Sequence, residues 1–150
     1  MKKYNFKKDG LTIIKKAIDP KIAHFVYNYF LMKKQVTETF FNTKYISPFE
    51  KSWGVLGDLQ CPKSYSHYAD IAMELLLLQT LPTVEKHAKL RLSPTYSYAR
   101  VYTQGDELKR HTDRYSCEVS ATVNLGGSLW PIYIDPTGKQ GQAGIKVDLK

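Results

Sequence analysis

His111 and Asp113 are the residues of this chain whose types and spacing are best suited to metal chemistry. Only Thr112 separates them, and residues i and i+2 of an extended chain point to the same side. An imidazole nitrogen and a carboxylate oxygen could therefore bind one ion from adjacent positions. This mixed donor set suits Fe(II), Mn(II) or Zn(II) better than a metal that prefers thiolates.

Two alternating segments flank this triplet and predict strands. In the first, residues 96–102, the long side chains all stand at even positions: Tyr96, Tyr98, Arg100 and Tyr102. In the second, residues 117–125, the even positions are all polar: Glu118, Ser120, Thr122 and Asn124. A polar strand face either lines a pocket or meets water. Two such strands in succession beside a metal-type triplet favour the pocket.

Residues 94–126 resemble the Fe(II)/2-oxoglutarate-dependent dioxygenases, close to their prolyl 4-hydroxylase-like group. In that superfamily a Tyr-x-x-Gly segment, here Tyr102-Thr-Gln-Gly105, precedes His-x-Asp, and a strand carrying Ser and Thr follows it. The resemblance covers residues 11–150 and is most specific over residues 94–125. It implies an α+β fold with a double-stranded β-helix (jelly-roll) core, backed by N-terminal helices.

The resemblance also implies roles for individual residues. His111 and Asp113 would be catalytic iron ligands, Tyr102 would line the 2-oxoglutarate pocket, and Asn124 stands near a co-substrate-contacting position. Arg100, on the same strand face as Tyr102, either assists the co-substrate charge, anchors a structural carboxylate or stacks on a tyrosine. The implied cofactors are Fe(II) and 2-oxoglutarate, with O2 as oxidant and ascorbate as a further reductant. The substrate, a small molecule or a peptidyl group, stays open.

The chain departs from the family pattern in one respect. The family's distal histidine, and the Arg or Lys that pairs with 2-oxoglutarate, lie downstream of His-x-Asp, and no histidine follows His111 here. His24, His67 and His87 fall in the helical half and are expected to be exposed or hydrogen-bonded. We therefore expect an iron site that lacks its third protein ligand, the distal histidine, with the C-terminal jelly-roll strands missing from this sequence. It would belong either to a fragment of a longer protein or to a relative that has lost activity.

The elements that must position these residues follow from periodicity and caps. Residues 11–14 predict a short strand, and Asp19-Pro20 predicts a helix that runs to about Lys34. Ser64 or Ser66 is expected to cap a second helix, which Pro82 either kinks or divides.

Further strands are expected at residues 129–134 and 145–149, with a turn at 135–138. One domain over residues 1–150 is expected, with 1–92 as helical support and 93–150 as jelly-roll strands. Residues 41–64 predict an irregular segment, either a flap over a site or a packed connection with Phe49 and Trp53 in the core. Four consecutive leucines, Leu75 to Leu78, predict a helix buried on most sides.

Composition limits the remaining classes. The 150 residues carry a net charge of +8, and residues 1–51 hold 11 Lys against four acids. These lysines fit a solvated face better than a nucleic-acid surface, because no nucleic-acid motif accompanies them. No secretory signal, membrane span or disulfide framework is apparent, so a cytoplasmic setting is expected. The alternatives to a dioxygenase are a non-catalytic jelly-roll interaction module and a small basic nucleic-acid-binding domain.

Overall fold

The computed structural model describes residues 4–139 and 143–149. Its helices are α1 (Phe6–Asp9), α2 (Pro20–Asn42) and α3 (Ile71–Ala88). Its strands are β1 (Val55–Leu56), β2 (Tyr65–Tyr68), β3 (Tyr98–Val101), β4 (Trp130–Ile134) and β5 (Ile145–Leu149). The strands form two antiparallel sheets, one ordered β1-β2-β3 and the other β4-β5. The mixed α+β class is confirmed.

Helix α2 begins as predicted but is longer. The Asp19 side chain accepts a hydrogen bond from the Lys21 N–H, and Pro20 occupies the first helical position. The helix continues past Lys34 to Asn42, because its last turns have apolar partners outside the helix. Phe40 packs against Tyr45 and meets Trp53 edge-on, with ring centroids 5.0 and 5.1 Å apart.

The start of α3 was predicted incorrectly. Ser64 is buried beside a strand rather than at a helix start, and Ser66 is in β2, paired with Arg100 of β3. The cap is Asp70, whose Oδ1 accepts from the N–H groups of Ala72 and Met73. A four-residue strand between two loops has too short a pattern to be distinguished from the first turn of a helix.

Helix α3 runs unbroken through Pro82 to Ala88 and ends at Lys89, which adopts a left-handed conformation with φ 58°. The prediction that its leucines are buried on most sides is wrong. Leu76 is buried, whereas Leu75 and Leu78 are 63% and 54% exposed. The core therefore receives one stripe of this helix.

The hairpin of β4 and β5 confirms the two strands predicted there. In contrast, residues 11–14 and 117–125 form no strand, although Leu11 is buried. A strand needs a hydrogen-bonded neighbour, and none of the described strands pairs with residues 117–125. The described sheets have three and two strands, so a jelly-roll core stays a prediction.

The hydrophobic core lies where both long helices meet the central strand of the larger sheet. Its buried members come from α2, β2 and α3: Val26, Phe30, Tyr65, Met73 and Leu76. Full burial of each large apolar side chain contributes about 1.5–3 kcal/mol. Among the described residues, no helix is both long and apolar enough to cross a membrane.

Candidate metal centre

His111 and Asp113 lie in the irregular connection between β3 and β4, and their side chains converge. His111 Nε2 is 3.4 Å from Asp113 Oδ1, and the two side chains are 33% and 46% exposed. The other atom of each group has its own partner. His111 Nδ1 lies 2.8 Å from the Lys109 carbonyl, and the Ser120 hydroxyl donates to Asp113 Oδ2 at 2.5 Å.

These partners determine which atoms are available for a ligand. The Lys109 carbonyl and the Asp113 carboxylate both only accept, so the ring proton of a neutral His111 can face either one. The shorter contact, 2.8 Å at Nδ1 against 3.4 Å at Nε2, favours the proton on Nδ1, which leaves the lone pair of Nε2 for a ligand. Nε2 and Asp113 Oδ1 therefore face one another as a nitrogen and an oxygen donor. Orientation of a ligating imidazole by a backbone carbonyl is a common feature of metal sites.

The spacing of the two donors fits a shared ion. Two cis ligands at about 2.1 Å from an octahedral ion lie about 3 Å apart, close to the 3.4 Å observed between His111 and Asp113. Within residues 4–139 and 143–149, no group of three or more His, Cys, Asp or Glu side chains is arranged to hold a metal. Among the described residues, His111 and Asp113 are thus a pair of candidate ligands without a third His, Cys, Asp or Glu beside them.

The flanking arginines are engaged with other groups. Arg110 forms an ion pair with Asp135 and donates to the Lys139 carbonyl at 2.8 Å, which ties the triplet to the turn after β4. The Arg114 guanidinium lies 5.5 and 5.9 Å from the ring centroids of Tyr96 and Tyr68. The Asp113 carboxylate, which lies between the two arginines in sequence, accepts its hydrogen bond from the Ser120 hydroxyl.

Arg100 anchors a structural carboxylate, the second of the three roles open to it from the sequence. Its side chain is 6% exposed and donates to Asp58 Oδ2 at 2.5 Å, to Gln60 at 3.2 Å and to the Tyr102 hydroxyl at 3.3 Å. The guanidinium also lies 5.0 Å from the Tyr98 ring centroid. Its Nε atom is buried without a hydrogen-bond partner among the described residues. The charge of Arg100 is therefore already paired with a carboxylate.

Tyr102 and Asn124 both contact the same end of the β4–β5 hairpin. The Tyr102 ring stacks on Trp130 with centroids 5.0 Å apart, and the Asn124 amide donates to the Leu149 carbonyl at 3.4 Å. Trp130 and Leu149 pair across the hairpin. The structure thus links Tyr102 with Arg100 directly, and with Asn124 through the hairpin.

The histidines outside the triplet are hydrogen-bonded, in agreement with the sequence-based expectation. His24 contacts Asn28, and His87 Nδ1 contacts the Thr83 carbonyl. His67 lies in β2 rather than on a helix and contacts the buried carboxylate of Asp70. The pair of His67 and Asp70 was not predicted from the sequence. The one signal for it was the position of Asp70 as a cap before an apolar helical run.

Comparisons of the chain with protein-family models, with curated proteins and with solved structures found no match. The geometry around His111 and Asp113 and the resemblance of residues 94–126 are therefore the two supports for a functional proposal.

Proposed function

We propose that this protein is an Fe(II)- and 2-oxoglutarate-dependent dioxygenase that hydroxylates a small-molecule or peptidyl substrate in the cytoplasm. The observation that carries the proposal is the convergence of His111 Nε2 and Asp113 Oδ1, 3.4 Å apart. A carbonyl and a hydroxyl hold the remaining atoms of the two groups.

His111 and Asp113 would hold the iron, and the other residues would shape the co-substrate pocket. When bound, Fe(II) with 2-oxoglutarate and O2 would supply oxidative decarboxylation coupled to hydroxylation, and ascorbate would serve as a further reductant. Tyr102, stacked on Trp130, would form one wall of the pocket, and the Asn124 amide would border it. Since Arg100 is paired with Asp58, it would position Tyr102 rather than neutralise the co-substrate.

The proposal includes a jelly-roll core, which the resemblance of residues 94–126 implies. Residues 117–125 alternate polar and apolar positions as a strand of such a core would, although they form no strand in the structure. The resemblance also implies a distal histidine and a co-substrate-binding Arg or Lys. No histidine follows His111 in the sequence given.

The first test is Fe(II) binding, measured under anaerobic conditions by calorimetry. His111→Ala and Asp113→Ala are each expected to weaken Fe(II) binding by about a hundredfold or more, because each removes one ligand of the ion. His24→Ala is the matched control, since His24 is exposed and its ring hydrogen-bonds with Asn28, away from the triplet in sequence. Equal Fe(II) affinity in the parent and both ligand variants would rule out this metal centre.

The second test is turnover of 2-oxoglutarate to succinate by the longest polypeptide that contains this chain. Fe(II)-dependent succinate formation that is lost in His111→Ala and retained in His24→Ala supports the dioxygenase.

A non-catalytic interaction module is the second candidate. The observation that favours it is the paired state of Arg100, combined with only two metal ligands among the described residues. Weak or absent Fe(II) binding together with no succinate formation would favour this alternative.

A further inference from the structure

Two adjoining cavities lie beside β2 and the start of α3. Their volumes are about 370 and 450 Å³, and both are lined by Lys51, His67 and Tyr68. The first also reaches Ser66 and Tyr98, and the second reaches Tyr29 and Lys33. None of these residues belongs to the proposed metal centre.

Asp70 is the fully hydrogen-bonded centre of this region. It is 1% exposed, and its Oδ1 caps α3 through two backbone N–H groups. Its Oδ2 accepts from the Tyr29 hydroxyl at 2.8 Å and from Lys33 Nζ at 2.5 Å, and lies 3.2 Å from His67 Nδ1. Burial raises the pKa of Asp70, but the hydrogen bonds from Lys33 and Tyr29 outweigh it, so the pKa is lowered. Asp70 is therefore an ionised carboxylate with no site left for a ligand.

His67 keeps one unused atom. Its side chain is 10% exposed, and because Nδ1 lies beside a carboxylate, the proton of the neutral ring sits there. Its Nε2 has no hydrogen-bond partner among the residues the structure describes. Burial and the nearby Lys33 charge lower the pKa of His67 below its ordinary value. Near neutral pH, Nε2 is an unpaired acceptor on a side chain that lines both cavities.

The charges of the cavity walls leave one cation unmatched. Lys33 is neutralised by Asp70, whereas Lys51 is exposed and forms no ion pair with any described residue. A ligand with a single negative charge would balance Lys51. A carboxylate meets this requirement better than a phosphate monoester, which carries closer to two charges near neutral pH. The rings of Tyr29, Tyr68 and Tyr98 provide apolar surface for the body of such a ligand.

We propose that these cavities form a binding site for a small hydroxylated aromatic carboxylate. The ligand's carboxylate pairs with Lys51, and its hydroxyl donates to His67 Nε2. The Asp70 carboxylate acts through His67, because it orients the ring and keeps the proton on Nδ1. This site is separate from the His111 centre and does not depend on the proposed dioxygenase activity.

The probe that tests this site is 4-hydroxybenzoate, compared with benzoate, which lacks the hydroxyl. Titrations of the whole chain by calorimetry, in metal-free buffer with EDTA, exclude a contribution from a metal centre. We expect saturable binding of 4-hydroxybenzoate, about fivefold tighter than that of benzoate, the factor for one neutral hydrogen bond. Absence of saturable binding would overturn the proposal.

Two variants assign the binding to named atoms. In His67→Asn the amide N–H can replace the Nδ1–H donor to Asp70, whereas the Nε2 acceptor is lost. This variant should bind both probes equally. Lys51→Gln should weaken both probes by a similar factor, and Lys63→Gln, an exposed lysine outside both cavities, should change neither.

Thermal unfolding of each variant establishes that it is folded. If His67→Asn does not fold, the comparison of Lys51→Gln with Lys63→Gln still decides whether the cavities bind the probe. A preference for 4-hydroxybenzoate that survives in His67→Asn, or unchanged affinity in Lys51→Gln, contradicts the proposed site.

Discussion

Asp58 connects the irregular segment after β1 to the faces of β2 and β3. Its Oδ1 accepts from the backbone N–H groups of Gln60 and Cys61. Its Oδ2 accepts from Tyr98 at 2.6 Å and from Arg100 at 2.5 Å. Burial raises the pKa of Asp58, but these hydrogen bonds outweigh it and lower the pKa to about 2. The ionised carboxylate is thus the form that the fold requires.

Stability is expected to fall in acid because of this group. The pKa of Asp58 is lower in the folded chain than its ordinary value of 3.8, so its contribution is complete above about pH 4. That contribution, roughly 2 kcal/mol, is lost as the pH falls towards about 2. Urea unfolding of the parent and Asp58→Asn across this range measures the difference. The gap between them should narrow with acidification, and a constant gap would contradict this role for Asp58.

Ser120 is expected to strengthen Fe(II) binding by orienting the Asp113 carboxylate. Its hydroxyl holds Asp113 Oδ2, so Ser120→Ala should leave the carboxylate in several orientations and weaken Fe(II) binding about tenfold. The measurement is the anaerobic Fe(II) titration, with Ser116→Ala as the control because Ser116 contacts Cys117 instead. Unchanged Fe(II) affinity in Ser120→Ala would mean that Asp113 needs no such support.

At the residue scale, the sequence was informative where partners are neighbours in the chain. His111 and Asp113 are two positions apart, so an extended or turned backbone brings their side chains together. Asp58 and Arg100 are 42 positions apart, and Lys33 and Asp70 are 37 apart. Such pairs depend on how the helices and sheet pack, and no local pattern predicts them.

One backbone carbonyl joins the segment between α2 and β1 to both α2 and β2. The Trp53 carbonyl accepts from Thr37 of α2 at 2.8 Å and from the hydroxyl of Tyr65 in β2 at 2.6 Å. Thr37 and Tyr65 are both fully buried. Phe49, in contrast, is 88% exposed. Trp53 is itself 38% exposed, so neither aromatic residue expected in the core lies there. The segment is attached through the Trp53 backbone carbonyl and the contact of its ring with Phe40.

Removal of one of these hydrogen bonds should loosen the segment. Tyr65→Phe keeps the ring in the core and deletes the donor to Trp53, which should cost about 1 kcal/mol in the free energy of unfolding. The amide of Gly54, which donates to the Lys51 carbonyl, should then exchange hydrogen faster. Tyr45→Phe, at a ring that is 75% exposed, is the control and should change neither quantity. Identical exchange in the parent and Tyr65→Phe would contradict this attachment.

At the element scale, helix caps and turns were predicted better than the pairing of strands. Asp19-Pro20 determines where α2 begins, because its cap is local. The β4–β5 hairpin was also found, since its turn residues and both strands are near in sequence. The alternation of residues 117–125 is a property of the segment, whereas a strand exists only beside a partner. The sequence pattern therefore predicted a strand that the described sheets do not contain.

The whole molecule divides into a helical part with the core and a smaller part around the β4–β5 hairpin. The core residues come from α2, β2 and α3, whereas in the hairpin Val147 is the one buried residue among those described. Two-stranded sheets have little stability of their own. The hairpin is connected to the rest through contacts such as Tyr102 on Trp130.

Hydrogen exchange should therefore separate the two parts. Amides of β4 and β5 are expected to exchange through local opening, at a lower free energy than amides of α2 and α3. Native-state exchange at increasing denaturant, followed by NMR, measures both sets. If the amides of the hairpin and of the helices exchanged with the same opening free energy at every denaturant concentration, the molecule would open as one unit.

The contact between Tyr102 and Trp130 has a spectroscopic consequence. The chain has two tryptophans, and the other, Trp53, meets Phe40 beside α2. Each indole thus lies in a different part of the molecule and has its own aromatic neighbour. With Phe in place of one tryptophan, the fluorescence of the other reports the opening of its own part. Two emission signals, recorded on two single-tryptophan chains, would follow the hairpin and the helical core independently.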